Sequence, residues 1–70
     1  MADVHFEKIK PICTFAESKG WRKEVNIISW NGAPAKVDIR NWKPDGTPGK
    51  GISLTPEEAR KVAEEILKEE

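Results

Sequence analysis

Three tryptophans, each beside basic or polar neighbours, are the residues of this 70-residue chain most suited to bind a ligand. They stand in the segments Gly20-Trp21-Arg22-Lys23, Ser29-Trp30-Asn31 and Arg40-Asn41-Trp42-Lys43. An exposed indole can stack on the face of a nucleic-acid base while basic groups neutralise phosphate, and stacking contributes about 1 to 3 kcal/mol per base. Because a duplex hides its base faces, this combination favours a single-stranded ligand.

The position of each tryptophan within its strand distinguishes candidate ligand contacts from core residues. Trp21 lies on the same side of the second strand as Val25, which predicts that it packs in the core. Trp30 shares its side with mostly polar residues. In the third strand Val37 and Ile39 are expected on one side, and the other side carries Lys36, Asp38, Arg40 and Trp42. We therefore expect both indoles to be wholly or partly exposed. The alternative is core packing, or a cation–π pair of Arg40 with Trp42 on a solvated face, worth about 0.5 to 1 kcal/mol.

No pattern typical of catalysis or metal binding occurs in the sequence. No nucleophile is paired with a general base, and Gly49-Lys50-Gly51 lacks the remaining glycines of a phosphate-binding loop. One cysteine and one histidine cannot assemble a zinc site from the usual ligands within one chain. Asp38 is expected to pair with Arg40 or Lys36 and not to act as a catalyst. We therefore expect a binding protein, not an enzyme, without a cofactor or a metal.

The formal net charge of zero is the sum of two oppositely charged parts. Residues 1–54 hold nine bases against six acids, a local charge of +3, whereas residues 55–70 hold three bases against six acids, a local charge of −3. Local potential, and not net charge, attracts phosphate. We therefore expect the basic part to face nucleic acid, with Lys23, Lys36 and Lys43 as additional candidate contacts.

Length and composition restrict the assembly and the location of the protein. A lone domain of this size buries only about 60% of its unfolded surface, and without disulfides or metal the expected remedy is a homodimer. No apolar run approaches the roughly 20 residues of a membrane span, and the N-terminus lacks the basic start and apolar stretch of a signal peptide. A lone cysteine fits a reducing compartment. We therefore expect a soluble, cytoplasmic protein with no membrane partner.

Four strand-like runs followed by one helix are expected to position the candidate residues. The runs lie within residues 4–54 and are separated by turn residues. They cover residues 5–15, 21–30, 36–42 and 50–54. Pro11 in the first run suggests an edge strand or a bulge, because proline cannot donate to a sheet ladder. The sequence predicts one domain over residues 1–70, with an α+β fold in which a curved four-stranded antiparallel sheet precedes a C-terminal helix (β-β-β-β-α).

The helix is predicted at about residues 56–68, directly after the capping box Thr55-Pro56-Glu57-Glu58. Its apolar residues recur at spacings of three and four and form one stripe, which comprises Ala59, Val62, Ala63, Ile66 and Leu67. A helix of this length is marginal alone, so the sheet or the helix of a partner must cover the stripe.

Several stretches of the sequence together carry a family resemblance. They are Val37–Trp42, the Pro-Asp-Gly loop, Pro48–Glu57, Gly20–Glu24, Ser29–Asn31, and the starts Met1–Asp3 and Phe6-Glu7. These stretches resemble the C-terminal domain of the transcriptional positive cofactor four (p15) family, and more closely its small bacterial YdbC-like branch. The resemblance covers essentially the whole chain, and the Lys-Gly-Ile-Ser-Leu stretch is fairly specific.

The resemblance implies a homodimer whose curved sheets form channels for single-stranded DNA and whose helices pack at the dimer interface. By position, it implies that Trp30 is the stacking aromatic residue of the second strand, that Arg40 and Lys50 are the sheet arginine and the fourth-strand lysine, and that Trp42 is the aromatic residue after the arginine. We therefore expect the two indoles to stack on bases and the basic residues Arg40, Lys50, Lys23 and Lys36 to contact phosphate. The expected dimer contacts on the helix are Val62, Ile66 and Leu67.

The resemblance also favours DNA over RNA, with a role in transcription regulation or DNA maintenance in the bacterial cytoplasm or nucleoid. The residues alone leave two alternatives open. One is an RNA-binding or nucleic-acid-chaperone role, because nothing in the sequence identifies a reader of the 2′-hydroxyl. The other is a protein-interaction dimer whose basic face docks an acidic partner from the transcription machinery.

Overall fold

A computed structural model describes residues 5–70 and shows four antiparallel strands followed by one helix. The elements are β1 (Phe6–Ser18), β2 (Trp21–Trp30), β3 (Lys36–Trp42), β4 (Pro48–Leu54) and α1 (Pro56–Lys68). The strands form one sheet in the order β1-β2-β3-β4. The predicted α+β class and the bounds of β2, β3 and α1 are confirmed, whereas β1 and β4 are longer than predicted. Residue 4 and the Met1–Asp3 start lie outside the described residues.

The edge strand β1 is bent by three register shifts in its pairing with β2. At each shift one residue of β1 is extra, and these residues are Ile9, Ile12 and Phe15. Bulges increase the local twist and bend the strand that carries them. The prediction from Pro11 is confirmed, because β1 is an edge strand with a bulge directly after the proline.

The sheet curls so strongly that residues far apart in register come into contact. Phe6 is opposite Trp30 and Trp42 is opposite Arg22, which places the two pairs eight residues apart along β2, about 26 Å of strand. The ring centroids of Phe6 and Trp42 are nevertheless only 5.3 Å apart. The side of the sheet that carries these rings is therefore concave.

Alternation along the strands gives the sheet two chemically different faces. The concave face carries Glu24, Asn26, Ile28 and Trp30 from β2 and Lys36, Asp38, Arg40 and Trp42 from β3. The opposite, convex face carries Trp21, Lys23, Val25 and Ile27 from β2 and Val37, Ile39 and Asn41 from β3. The predicted division of β3, with Val37 and Ile39 opposite its charged residues, matches this arrangement.

Burial within the single chain is the reverse of what the sequence suggested. The side chains that are buried lie on the concave face and include three polar ones, Glu24, Asn26 and Asp38. Apolar residues of the convex face and the helix stay open, among them Ile52 and Ile66, which are 54% and 63% exposed. Trp21, expected in the core, is 38% exposed. The curl closes the concave face on itself, and among residues 5–70 the one element that lies over the convex face is α1.

The helix begins at the predicted capping box. The hydroxyl of Thr55 accepts a hydrogen bond from the Glu58 amide at 3.1 Å, and the Glu58 carboxylate accepts one from the Thr55 amide at 2.8 Å. No residue of α1 is buried, and its apolar stripe borders an open cleft of about 490 Å³ shared with Val37, Ile39 and Leu54. Within residues 5–70 no helix has the length and apolar character needed to cross a membrane.

The turn between β1 and β2 lies against the loop between β3 and β4. Gly20 has a φ of +85°, and a Cβ at this position would meet the Pro44 ring at 3.1 Å. In the β3–β4 loop, Asp45 accepts hydrogen bonds from the amide and the hydroxyl of Thr47 at 3.0 and 2.7 Å. These bonds hold the pKa of the exposed Asp45 carboxyl below its ordinary value. Two ordered connections thus meet at one end of the sheet.

Candidate nucleic-acid interface

Asp38 is the hydrogen-bonding centre of the concave face. Its Oδ1 accepts from Arg40 Nε at 2.7 Å, while its Oδ2 accepts from Arg40 Nη2 at 2.8 Å, from Ser53 Oγ at 2.8 Å and from Trp30 Nε1 at 3.0 Å. Burial of Asp38 raises its pKa, but the hydrogen bonds from Arg40 and Ser53, the charge of Arg40 and the bond from Trp30 outweigh burial. The pKa of Asp38 is therefore lowered, and the carboxylate is ionised at neutral pH.

The guanidinium of Arg40 is fixed in place and its charge is compensated. Besides its two bonds to Asp38, it donates from Nη1 to the Gly49 carbonyl at 3.0 Å, and its side chain is only 15% exposed. A Cβ on Gly51 would lie 2.0 Å from the Arg40 Cβ, so β4 requires glycine opposite the arginine. The predicted pairing of Asp38 with Arg40 is confirmed. Arg40 is therefore not the freely available phosphate contact that we expected.

Trp30 is a partly exposed indole whose position is set by three neighbours. The Arg40 guanidinium lies 4.6 Å from the centroid of its ring, and its Nε1 is bonded to Asp38. On another side the Phe6 ring lies at a centroid distance of 5.3 Å with a tilt of 46°. The cation–π partner of Arg40 is thus Trp30 and not Trp42, which corrects the alternative considered from the sequence.

Trp42 is 2% exposed, so the expectation that it is exposed is wrong. Its ring is covered by Phe6, at a centroid distance of 5.3 Å and a tilt of 55°, and by the Lys8 ammonium, 4.0 Å from its centroid. The cause is the curl of β1, which brings these two residues across the concave face. The Trp42 Nε1 has no hydrogen-bond partner among the described residues. Phe6, which our sequence reasoning did not select, lies between the two indoles.

A second buried carboxylate, Glu24, pairs with two further bases of the concave face, Lys8 and Arg22. It accepts a hydrogen bond from Lys8 Nζ at 3.2 Å and one from Asn26 Nδ2 at 3.0 Å, and Arg22 Nε lies 3.3 Å away. Burial alone would raise the pKa of Glu24. The hydrogen bonds from Asn26 and Lys8 and the charges of Lys8 and Arg22 outweigh burial, so the pKa of Glu24 is lowered. On this face Lys36 is the predicted contact that is exposed and forms no ion pair within residues 5–70.

Three predicted lysine contacts lie on the convex face and not beside Trp30. Lys23 follows the alternation of β2, and Lys43 and Lys50 border a cleft beside Trp21. Lys50 lies off the concave face because alternation along β4 places it on the side of Ile52 and Leu54, whereas Gly51 and Ser53 are opposite the concave-face residues Arg40 and Asp38. The single basic surface predicted from the sequence is therefore divided between the two faces.

Two comparisons with known proteins agree with this architecture. The family model described as Transcriptional Coactivator p15 (PC4) matches residues 18–65, which include all seven predicted nucleic-acid contacts but not Phe6. An uncharacterized protein of the bacterium Treponema pallidum (strain Nichols) is 47% identical over 55 residues, 76% of this chain and 65% of that protein. The match thus spans slightly less than two thirds of the relative's length.

Proposed function

The chain belongs to the transcriptional coactivator p15 (PC4) family of non-enzymatic nucleic-acid-binding proteins, and from this premise we propose that it binds single-stranded DNA with little dependence on sequence. The proposed form is a cytoplasmic homodimer that acts in transcription regulation or DNA maintenance without catalysis. The chemistry is base stacking combined with neutralisation of phosphate.

The observation that carries the proposal is the fixed, partly exposed indole of Trp30. Arg40, Asp38 and Phe6 hold the ring, so little side-chain entropy remains to be lost when a base stacks on it. Phe6, itself partly exposed, offers a second ring beside the first. The buried Trp42 ring packs against Phe6 and supports it. We assign Arg40 to positioning Trp30 and not to contacting phosphate.

Phosphate contacts are assigned to exposed lysines without an ion pair in residues 5–70. Lys36 lies on the concave face with Trp30 and is the phosphate contact assigned to this face, whereas the lysines at positions 23, 43 and 50 lie on the convex face. Each phosphate neutralised on a single strand contributes about 0.7 to the slope of log affinity against log salt. Binding is therefore expected to weaken steeply as salt rises.

The decisive experiment is a titration of tryptophan fluorescence with oligo-dT and with duplex DNA of equal length. We expect tighter binding of oligo-dT, and a loss of about 1 to 3 kcal/mol for Trp30→Ala. Lys36→Gln should weaken binding and reduce the salt slope by about 0.7, while its charge-matched control on the helix, Lys61→Gln, should not. Equal affinity for the two DNAs would contradict the single-strand proposal, and equal effects of the two lysine variants would contradict the assigned surface.

Competition experiments separate this proposal from the two alternatives. An RNA strand of matched sequence should compete less well than DNA, and stronger competition by RNA would favour the RNA-binding role. If Trp30→Ala bound oligo-dT as the wild type does, the stacking proposal would fail and docking of an acidic protein partner would gain support.

The homodimer is proposed because the convex face and the helix leave an unusually large apolar area open. The helix residues Val62, Ile66 and Leu67 are 42–64% exposed, and apolar side chains of the sheet border the same cleft. A second copy can cover this stripe with its own, which gives the self-complementary contact of a two-fold dimer. Light scattering at micromolar concentration should give twice the chain mass of 7.9 kDa, and a monomer would contradict the proposal.

A further inference from the structure

Trp21 is an exposed aromatic residue outside the concave face, at the end of the sheet where two connections meet. Its ring packs on Gly49, where an added Cβ would lie 3.4 Å from the indole Cζ3. The Pro44 ring touches Gly20 directly before it, so the surrounding backbone is held in place. Trp21 is therefore an anchored indole with an open side, as Trp30 is on the other face.

Trp21 borders two clefts, of about 380 and 420 Å³. Lys19 and Lys23 border the first cleft, and Lys43 and Lys50 border the second. All four lysines are exposed, and none forms an ion pair with a carboxylate of residues 5–70. We call Trp21 and these four lysines the Trp21 patch.

Acidic groups near the Trp21 patch only partly offset its charge. Glu17 borders the first cleft, but its carboxylate faces Arg22 Nε at 3.7 Å. Asp45, in the loop after Lys43, accepts both hydrogen bonds from Thr47 on its Oδ1, and the charge of Lys43 also helps to lower its pKa, so Asp45 offsets part of the charge of that one lysine. On the concave face, by contrast, Lys8, Arg22 and Arg40 are all paired with buried carboxylates. The patch therefore holds more uncompensated positive charge than the face that carries Trp30.

We propose that the Trp21 patch is a second contact surface for the same single strand, which stacks a base on Trp21 and places phosphates beside the four lysines. This inference rests on the proposed single-stranded-DNA binding and extends its site. Trp21 and Trp30 lie nine residues apart on β2 and on opposite faces of the sheet, so a DNA strand that contacts both must be long enough to pass from one face to the other. A polyanion with flat bases matches the patch better than an acidic peptide, because a peptide of carboxylates offers no ring to stack on the indole.

The test compares binding of oligo-dT of about 5 and about 20 nucleotides, which bracket one and two contact surfaces. The double variant Lys43→Gln/Lys50→Gln removes two charges from the patch, and Lys61→Gln/Lys68→Gln removes two from the helix as a matched control. The variant Lys43→Gln/Lys50→Gln (the patch variant) should bind the long strand about tenfold more weakly, and its slope of log affinity against log salt should be smaller by about 1.4. The variant Lys61→Gln/Lys68→Gln (the helix variant) should change neither quantity. For the short strand both variants should bind as the wild type does.

The outcomes separate this inference from the proposed function. If the wild type bound neither strand, both proposals would fail. If Trp30→Ala weakened binding while the patch variant bound the long strand normally, only the second surface would be refuted. An equal loss of affinity for the two strand lengths would also overturn the proposal of a second surface. Competition by polyglutamate as strong as competition by oligo-dT would overturn it as well.

Trp21→Phe retains an aromatic ring on Gly49 and checks that a loss of affinity does not come from unfolding. This variant should keep the circular dichroism spectrum and most of the affinity for the long strand.

Discussion

Replacing Asp38 with asparagine tests whether the hydrogen-bonded carboxylate holds the concave face together. The amide can keep its oxygen at the Oδ2 position, where it still accepts from Trp30 and Ser53, but its NH₂ then faces the Arg40 Nε donor. One charge-assisted bond is lost, which costs about 1.5 to 3 kcal/mol, and the mostly buried guanidinium loses its counter-ion. Removing one partner of a buried ion pair costs about 3 to 5 kcal/mol.

Because asparagine keeps part of the network, we expect Asp38→Asn to lower the free energy of unfolding by about 3 kcal/mol, the low end of that range. For a domain of this size that corresponds to a melting temperature lower by about 12 to 24 °C. Circular dichroism at one fixed protein concentration measures the change, since a dimer's stability depends on concentration. Asp45→Asn is the matched control, because that carboxylate is exposed and should cost less than about 0.5 kcal/mol.

The same variant should also change the dependence of stability on pH. The pKa of Asp38 is lower in the folded state than its ordinary value of 3.8, so the unfolded chain takes up the proton first as pH falls. In the wild type, the ionised Asp38 should therefore contribute to the free energy of unfolding at neutral pH. That contribution should be lost as pH falls from about 4 through the pKa of Asp38 in the folded state. Asp38→Asn should show a shallower acid dependence, with the remainder supplied in part by Glu24. A variant as stable as the wild type at pH 7 with the same acid dependence would refute this account.

Three further substitutions test other parts of the structure. Gly51→Ala places a Cβ 2.0 Å from the Arg40 Cβ and should destabilise the protein by about 1 to 3 kcal/mol in denaturant unfolding; a neutral effect would mean that β4 does not pack against the arginine. Thr55→Ala removes the helix cap and should cost about 1 kcal/mol, whereas Thr55→Ser should cost little, and equal costs would exclude a capping role. Phe6→Ala should uncover Trp42, which predicts red-shifted emission and stronger quenching by acrylamide, and an unchanged spectrum would show that Phe6 does not cover the indole.

Local sequence patterns were sufficient to predict the order and most bounds of the elements. The alternation of β3 placed Val37 opposite the charged residues, and the capping box at Thr55 placed the start of the helix within one residue. Both patterns depend on neighbours a few positions apart, so they can be recognised without knowledge of the tertiary structure. The burial of Trp42 could not be predicted in this way, because it depends on Phe6, which lies 36 positions earlier.

The sequence supplied candidate site residues but not their arrangement. Alternation along β2 and β3 puts Trp30 and Lys36 on the concave face and Lys23 beside Trp21, a consequence that the assignment of Trp21 to the core concealed. Alternation along β4 also groups Lys50 with Ile52 and Leu54, away from the face of Arg40, and our sequence reasoning did not use it. The expected partner of Asp38 was Arg40 or Lys36, but charge counts along the chain could not show how deeply the pair with Arg40 is buried.

The three bulges of β1 give the sheet its shape through a difference in length. β1 uses 13 residues where its neighbour β2 has 10, so one strand is longer than the strand to which it is bonded, and the pair must bend to stay in register. Each surplus residue can be removed without changing which residues are paired on either side of it. Shortening β1 at Ile9, Ile12 or Phe15 would therefore flatten the sheet stepwise and open the concave face beside Trp30. The length of one edge strand is thus a single variable that sets the curvature of the whole sheet while the paired residues stay the same.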